Sequence, residues 1–205
     1  MADVDRAGLV VAREQAFSIR FKVREDFADD YRWRRDAETA RLDGNPVLEL
    51  PFDAFVRLVE KELLFGDPNR MSFSIDSADG VHIGNIMMYN FAGGREAAEF
   101  GISIGEDAQR GRGIGTAAAV AFLRYVWRNL PFRRVFLHTY EWNERAHRSF
   151  AAAGFSEVDR VLRGGERLIR MEARREWWLL WESEGRFDAV LAKARPLTTP
   201  PPDGA

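Results

Sequence analysis

Cysteine is absent from the 205 residues. That excludes disulfides and thiolate metal sites, and it permits a reducing compartment without requiring one. Long apolar runs are missing as well. No stretch approaches the roughly 20 apolar residues that span a bilayer, so no membrane partner is expected. Histidine is scarce, with 3 in the chain. His82 and His147 show no ligand spacing with acidic partners, so no metal site is expected. An excess of either charge is lacking too: 30 Lys+Arg face 32 Asp+Glu. A net charge of -2 supports no general polyanion-binding role, and scattered arginines alone do not make a nucleic-acid surface. The opening Met1-Ala2-Asp3-Val4-Asp5 is acidic and lacks the basic-then-apolar order of a secretory signal. A cytoplasmic location is the expectation.

What is present is the material of one domain with a substantial core: 46% of residues are hydrophobic. Residues 1–15 read as an N-terminal extension with a short apolar patch, Leu9-Val10-Val11. Phe17, Ile19, Phe21 and Val23 alternate with polar residues, which predicts a strand. A helix is expected over Asp26–Arg35 and a shorter one to Leu42, ended by Asp43-Gly44-Asn45-Pro46. Phe52, Phe55, Val56, Val59 and Leu63 recur at helical spacing until Gly66-Asp67-Pro68. Strands over about 70–77 and 81–90 flank an Asp79-Gly80 turn. Gly93-Gly94 leads to a fourth strand, in which Ala98, Phe100, Ile102 and Ile104 alternate with Glu99, Gly101 and Ser103. A loop then enters a long helix with an apolar face of Ile114, Ala118, Ala121, Phe122 and Tyr125. Val135–Tyr140 reads as a fifth strand and Asn143–Ala153 as a helix stopped by Gly154. Strands near 155–162 and 167–173 close the sheet. Trp177-Trp178-Leu179-Leu180-Trp181 opens a C-terminal extension over 178–195, and a Pro-rich tail over 196–205 is expected to be disordered.

The chemistry concentrates in Gln109-Arg110-Gly111-Arg112-Gly113-Ile114-Gly115-Thr116, between a strand and a helix. Alternate glycines leave bare backbone for a close approach. The helix start adds unpaired N–H groups and the positive end of its dipole, which suits a phosphate. Arg110 and Arg112 add charge. A glycine-rich turn with two solvated arginines fits the same residues. No Gly-Lys-Ser/Thr follows for a Walker A loop, and the spacing is not GxGxxG. Another phosphate ligand, such as a nucleotide, stays open on these residues alone.

Arg110-x-x-Gly113-x-Gly115 resembles the acetyl-CoA loop of GNAT N-acetyltransferases. Asn143-Glu144-Arg145-Ala146, Phe150 and Gly154-Phe155 resemble the family's second signature. Arg20 to Asp26, Tyr31-Arg32-Trp33 and the stretch Met171 to Trp177 resemble the ribosomal-protein N-terminal acetyltransferase branch. The resemblance covers residues 16–177. It implies an α/β (α+β) GNAT fold: one mixed, mostly antiparallel sheet of six to seven strands, flanked by helices and splayed in a V between the fourth and fifth strands.

It also implies acetyl-CoA as co-substrate and a primary amine acceptor, cationic or a peptide N-terminus, without a metal. Ile102, Ser103 and Ile104 would line the pantetheine, with the backbone of Ile102 and Ile104 pairing to its amides. Backbone N–H groups of Arg110, Gly111, Arg112, Gly113, Ile114 and Gly115 would hold the pyrophosphate, and Gln109 and Thr116 at the ends of the loop would also bind the coenzyme. Asn143 would bond the coenzyme arm, although Asn is also a good helix cap. Glu99 matches the position of a base that relieves the amine of its proton. Relatives protonate the departing thiolate with a tyrosine seven residues after the helix asparagine. Phe150 stands there instead, against the coenzyme and without a proton to give. Tyr140 is a substitute donor, and His138 on the same strand face also carries protons. The acids Glu25, Asp26, Asp29, Asp30, Asp36 and Glu38 would form a rim for a cationic amine or an ordinary mixed helix face. The tryptophan cluster would pack a core edge, line a pocket or join a homodimer. The second reading of the whole is a non-catalytic acyl-CoA-binding module.

Overall fold

The structure is a computed structural model that describes residues 8–92 and 96–197. Gly93-Gly94 and most of the Pro-rich tail lie outside the described residues.

Alternating apolar residues build the strands, which form one sheet. They are β1 (Val10–Arg13), β2 (Phe17–Phe21), β3 (Arg70–Ser77), β4 (His82–Ala92), β5 (Ala97–Ile104), β6 (Arg134–Tyr140), β7 (Ser156–Arg163) and β8 (Glu166–Arg174). Their order is β1-β2-β3-β4-β5-β6-β8-β7. Every neighbouring pair is antiparallel except β5 and β6. The eighth strand, beyond the six to seven expected, is β1. Its residues fall within the stretch read as an extension, and they pair with Arg20, Ile19 and Ser18.

The helices are α1 (Phe27–Arg35), α2 (Ala37–Leu42), α3 (Phe52–Phe65), α4 (Ile114–Asn129), α5 (Glu144–Ala152), α6 (Arg175–Ser183) and α7 (Asp188–Lys193). The parallel β5–β6 pair requires a crossover, and α4 supplies it. Rather than one apolar stripe, α4 buries Ala117 through Leu123 without a gap, then Val126 and Trp127. It lies against β1, β2 and β5 on one side and α5 and α7 on others. A run of alanines lets these neighbours approach closely. Phe122 meets Phe73 edge-on at 4.9 Å, and Phe100 lies 6.1 Å from it.

The opposite face of the sheet carries α1, and charge fixes it there. Arg20 bridges Asp26 at 2.7 Å and Asp76 at 2.7 Å, and Ser74 donates to Asp26 at 2.6 Å. Burial alone would lift the Asp26 carboxyl, but Arg20, His82 and Ser74 together hold it down at about 2. Lys22 pairs with Asp30, which also accepts from Asn85 at 2.7 Å. Asp29 pairs with Arg32, Glu38 with Arg41, and Asp36 caps α2 through Thr39. The mixed helix face is thus the arrangement found, and most of these acids already have partners. Trp33 packs so closely over Gly105 that a Cβ there would lie 2.0 Å from its ring.

The C-terminal segment folds back onto this body. Trp178 is fully buried, donates Nε1 to the Ala153 carbonyl at 2.9 Å and stacks on Phe187 at 4.5 Å. Trp181 packs partly against the core, and Trp177 is 56% exposed. No helix among the described residues is long and apolar enough to cross a membrane.

Candidate active site

β5 and β6 pair only at Ala97↔Arg134, Ala98↔Val135 and Glu99↔Phe136. Beyond that point β5 stays with β4 through Ile104, and β6 stays with β8 through Tyr140. The two inner edges therefore diverge from a vertex at Glu99 and Phe136 and leave backbone facing a wedge. An extended, amide-bearing ligand matches such an edge.

The wedge opens into a cavity of about 1230 Å³. Glu99, Ile102, Ser103, Ile104, Gln109, Arg110, Gly111, Gly113, Ile114, Gly115, Thr116, Tyr140, Asn143 and Phe150 all line it. Arg112 does not.

At the wide end stands the glycine loop. Gly111 and Gly113 have φ of 75° and 81°, the left-handed region that glycine tolerates. Gly113 is the residue before the first turn of α4. A Cβ on Gly111 would meet nothing within 4 Å, whereas one on Gly113 would lie 3.1 Å from the Lys193 carbonyl oxygen. The two loop arginines are committed to the protein. Arg110 donates to the carbonyl of Ile104 at 2.8 Å and to Thr39 Oγ1 at 2.8 Å, and it pairs with Asp107 at 2.5 Å. Arg112 donates to the carbonyls of Arg195 and Pro196. Their positive charge remains near the loop, but these donors hold the loop in place. Arg145, Arg148 and Lys193 bring further cationic side chains to the cavity wall. Gln109 is buried, and its Oε1 has no hydrogen-bond partner among the described residues.

At the vertex sits a polar cluster around the buried Glu99. Glu99 accepts from Asn90 Nδ2 at 2.8 Å and contacts His138 Nδ1 at 2.7 Å. Tyr89 lies beside Glu99 across the β4–β5 pair, and burial together with that negative charge pushes the phenol up to about 12. With Nδ1 donating to the carboxylate, Nε2 of His138 is the proton-accepting nitrogen. Asn90 is the one non-glycine residue with positive φ, 52°, among the described residues. It sits where the β4–β5 register shifts between Tyr89 and Ala92. The irregularity aims its amide at Glu99, a use to which bulges beside active sites are put. Sequence reading missed Asn90 and Tyr89. The signal available was an asparagine inside a strand of otherwise β-favouring residues.

The remaining residues fall between these ends. Asn143 caps α5 by accepting from the Ala146 N–H at 3.1 Å. Phe150 meets Phe100 edge-on at 6.3 Å, just past the vertex. Ser149 and Thr116 share a short hydroxyl–hydroxyl bond. Tyr140 stacks on Trp142 at 5.2 Å, and its hydroxyl lies 2.9 Å from where a Gly44 Cβ would be. It stands four residues beyond the last paired position on β6, roughly 13 Å along the strand from the vertex. Next to Gly44, Asp43 also lines the cavity. Crowding by the walls pushes its carboxyl up to about 6, against the pull of a Ser103 bond and of Arg110 and Arg34. Asp43 is open to solvent as a residue, so water tempers that upward push.

A splayed parallel pair with a glycine loop at the following helix defines a coenzyme-handling α/β protein. The chain belongs to the GNAT acetyltransferase family: the model of the acetyltransferase (GNAT) domain matches residues 19–156. No curated protein matches the chain in sequence. Among solved structures, the spermidine N-acetyltransferase of Vibrio cholerae in complex with CoA and spermine aligns with a TM-score of 0.73 at 19% identity, over 80% of this chain and 98% of that one. An uncharacterized protein from Bacillus halodurans aligns with a TM-score of 0.69 at 14% identity, over 87% of this chain and 92% of that one. At such identities the likeness establishes the fold.

Proposed function

We propose that the protein transfers the acetyl group of acetyl-CoA to a primary amine, and that the wedge and the glycine loop together form the coenzyme site. The observation that carries this reading is their union in one cavity, with bare backbone along both arms and φ-positive glycines at the wide end. The residues fit such a substrate. The edges at Ile102 and Ile104 offer backbone groups, the loop offers bare backbone beside open space at Gly111, and Gln109 holds an acceptor in want of a donor.

With phosphates at the loop, the thioester end points to the vertex. There the Glu99–His138 pair is the proton acceptor. Glu99 is held by Asn90 and His138, so its part is to fix the imidazole and stabilise its cationic form, while Nε2 takes the proton from the ammonium. The freed amine attacks the thioester carbonyl, the attacking nitrogen gives its second proton to water, the C–S bond breaks, and the thiolate receives a proton. Tyr140, at the far end of its strand, is poorly placed to give that proton. The imidazolium of His138 is nearer the vertex and returns the proton it took.

For the acceptor we propose a cationic amine, with a peptide N-terminus as the alternative. The spermine-bound structure of a fold neighbour supports the first. Asp43, Glu62 and Asp67 line the cavity in addition to the Glu99 cluster, and they would attract a polyamine. Arg20 to Asp26, Tyr31-Arg32-Trp33 and Met171 to Trp177 support the second, with kinship to the ribosomal-protein N-terminal acetyltransferase branch. We assign the acetyltransferase domain to residues 16–177 and a cytoplasmic setting, where acetyl-CoA is supplied.

The test is a screen of polyamines and peptides with acetyl-CoA, read by thiol release and by the mass of the product. Acetylated amine is the expected outcome. CoA binding without any acetylated product across the screen would favour the non-catalytic module.

A further inference from the structure

The loop that should hold phosphates has committed part of each of its two guanidinium groups to protein acceptors, as described above. A second feature adjoins it. Helix α7, beyond the segment 19–156 matched by the family model, lies against α4 and runs directly behind the loop. Val190 and Lys193 line the cavity beside Gly111 and Gly113. The Arg195 N–H donates to the Arg112 carbonyl at 3.2 Å, while the Arg112 side chain donates to the carbonyls of Arg195 and Pro196. The contact is thus a two-way clamp of backbone and side chain. Val190, Leu191 and Ala194 pack against the core, and Phe187 is buried against Trp178. The segment is therefore anchored, not draped over the surface.

Lys193 is exposed on this wall, and no carboxylate among the described residues pairs with it. A four-carbon stem gives its ammonium wide reach, and a lysine meets phosphate as a mobile point charge. We propose that the C-terminal helix is a working wall of the coenzyme site, and that Lys193 supplies a side-chain cation that meets the coenzyme's phosphates at the glycine loop. The inference rests on the coenzyme reading above and deepens it. The phosphate met is either the pyrophosphate or the ribose 3′-phosphate, which present the same chemistry.

Calorimetry with the full-length chain tests it, using CoA and dephospho-CoA against wild type, Lys193→Ala, Lys193→Glu and Lys193→Arg. The expected result is CoA binding weakened severalfold by Lys193→Ala, tenfold or more by Lys193→Glu, and nearly restored by Lys193→Arg. The melting temperatures of the unliganded variants should match wild type, and the penalty should shrink in 0.5 M salt, where the Debye length is only about 4 Å. A penalty that persists with dephospho-CoA assigns the pyrophosphate, and one that vanishes assigns the 3′-phosphate. Unchanged affinity in Lys193→Glu, or an equal loss in Lys193→Arg and Lys193→Ala, overturns the proposal while leaving the coenzyme reading intact. A wild-type chain that binds neither compound would instead overturn the coenzyme reading itself.

Discussion

Glu99 has a buried carboxylate with Asn90, His138 and Tyr89 around it. Glu99→Gln keeps the shape and removes the charge that steadies the imidazolium. The turnover rate should fall on the order of 10²-fold or more at unchanged CoA affinity, as loss of general-base catalysis does. Turnover equal to wild type across pH would remove the pair from the mechanism. Asn90 separates backbone from chemistry. Asn90→Gly suits its φ of 52° but loses the donor, so the fold should persist while turnover drops. Asn90→Ala should lose stability as well, by about 1 kcal/mol, because a Cβ is disfavoured in that region. Equal melting temperatures for the two variants would contradict this account. At Asp43 the folded pKa, about 6, lies above the ordinary 3.8. The folded state thus holds the proton more tightly, and this group subtracts stability as pH rises from near 4 through 6. Asp43→Asn should be more stable than wild type at pH 7.5, by no more than about 1 kcal/mol since water reaches the site. That difference should fade below pH 4. The strand parity that puts Glu99 with Ser103 on one face of β5, and His138 with Tyr140 on one face of β6, was legible in the sequence. Their meeting at the vertex, and the part of Asn90, depended on register across an irregular pairing that residue patterns do not encode.

Among elements, the hydrophobic spacing disclosed β2 to β6 and α3 almost to their ends. It missed β1, whose four residues form an edge strand with little burial. It also understated α4, because alanines between larger residues read as a neutral face when they are in fact buried. The glycine loop was placed correctly between strand and helix, but its arginines were expected beside a ligand. They serve the loop's own architecture, a distinction set by tertiary neighbours from α2 and the C-terminal segment. Gly113 is consequently a poor site at which to test ligand obstruction alone, since any side chain there strains φ and meets the Lys193 carbonyl. The docking of α1 carries its own pH signature. Asp26 titrates at about 2 when folded against an ordinary 3.8. Its stabilisation, about 2 kcal/mol, is complete above the unfolded value and lost as pH falls toward 2. Asp26→Asn should flatten that limb of the acid-unfolding curve. An unchanged limb would show that other carboxylates set it.

For the molecule as a whole, the C-terminal segment changes from an appendage into part of the body. The aromatic cluster in the sequence left core, pocket and dimer open, because five apolar residues in a row have no periodicity to divide them. The structure splits them by helix face: Trp178 goes inward, Trp177 outward and Trp181 between. Trp178→Ala should cost about 3–5 kcal/mol, as removal of a large buried aromatic does. It should also weaken CoA binding by loosening α7 behind the loop. The claim on which everything else depends is that coenzyme lies between β5 and β6. Amide hydrogen exchange with and without CoA measures this directly, residue by residue. Slowed exchange is predicted along Phe100–Ile104 and Gly111–Thr116, with none at the outer strand β7. Protection confined to other elements, or CoA bound with these amides unchanged, would contradict the account.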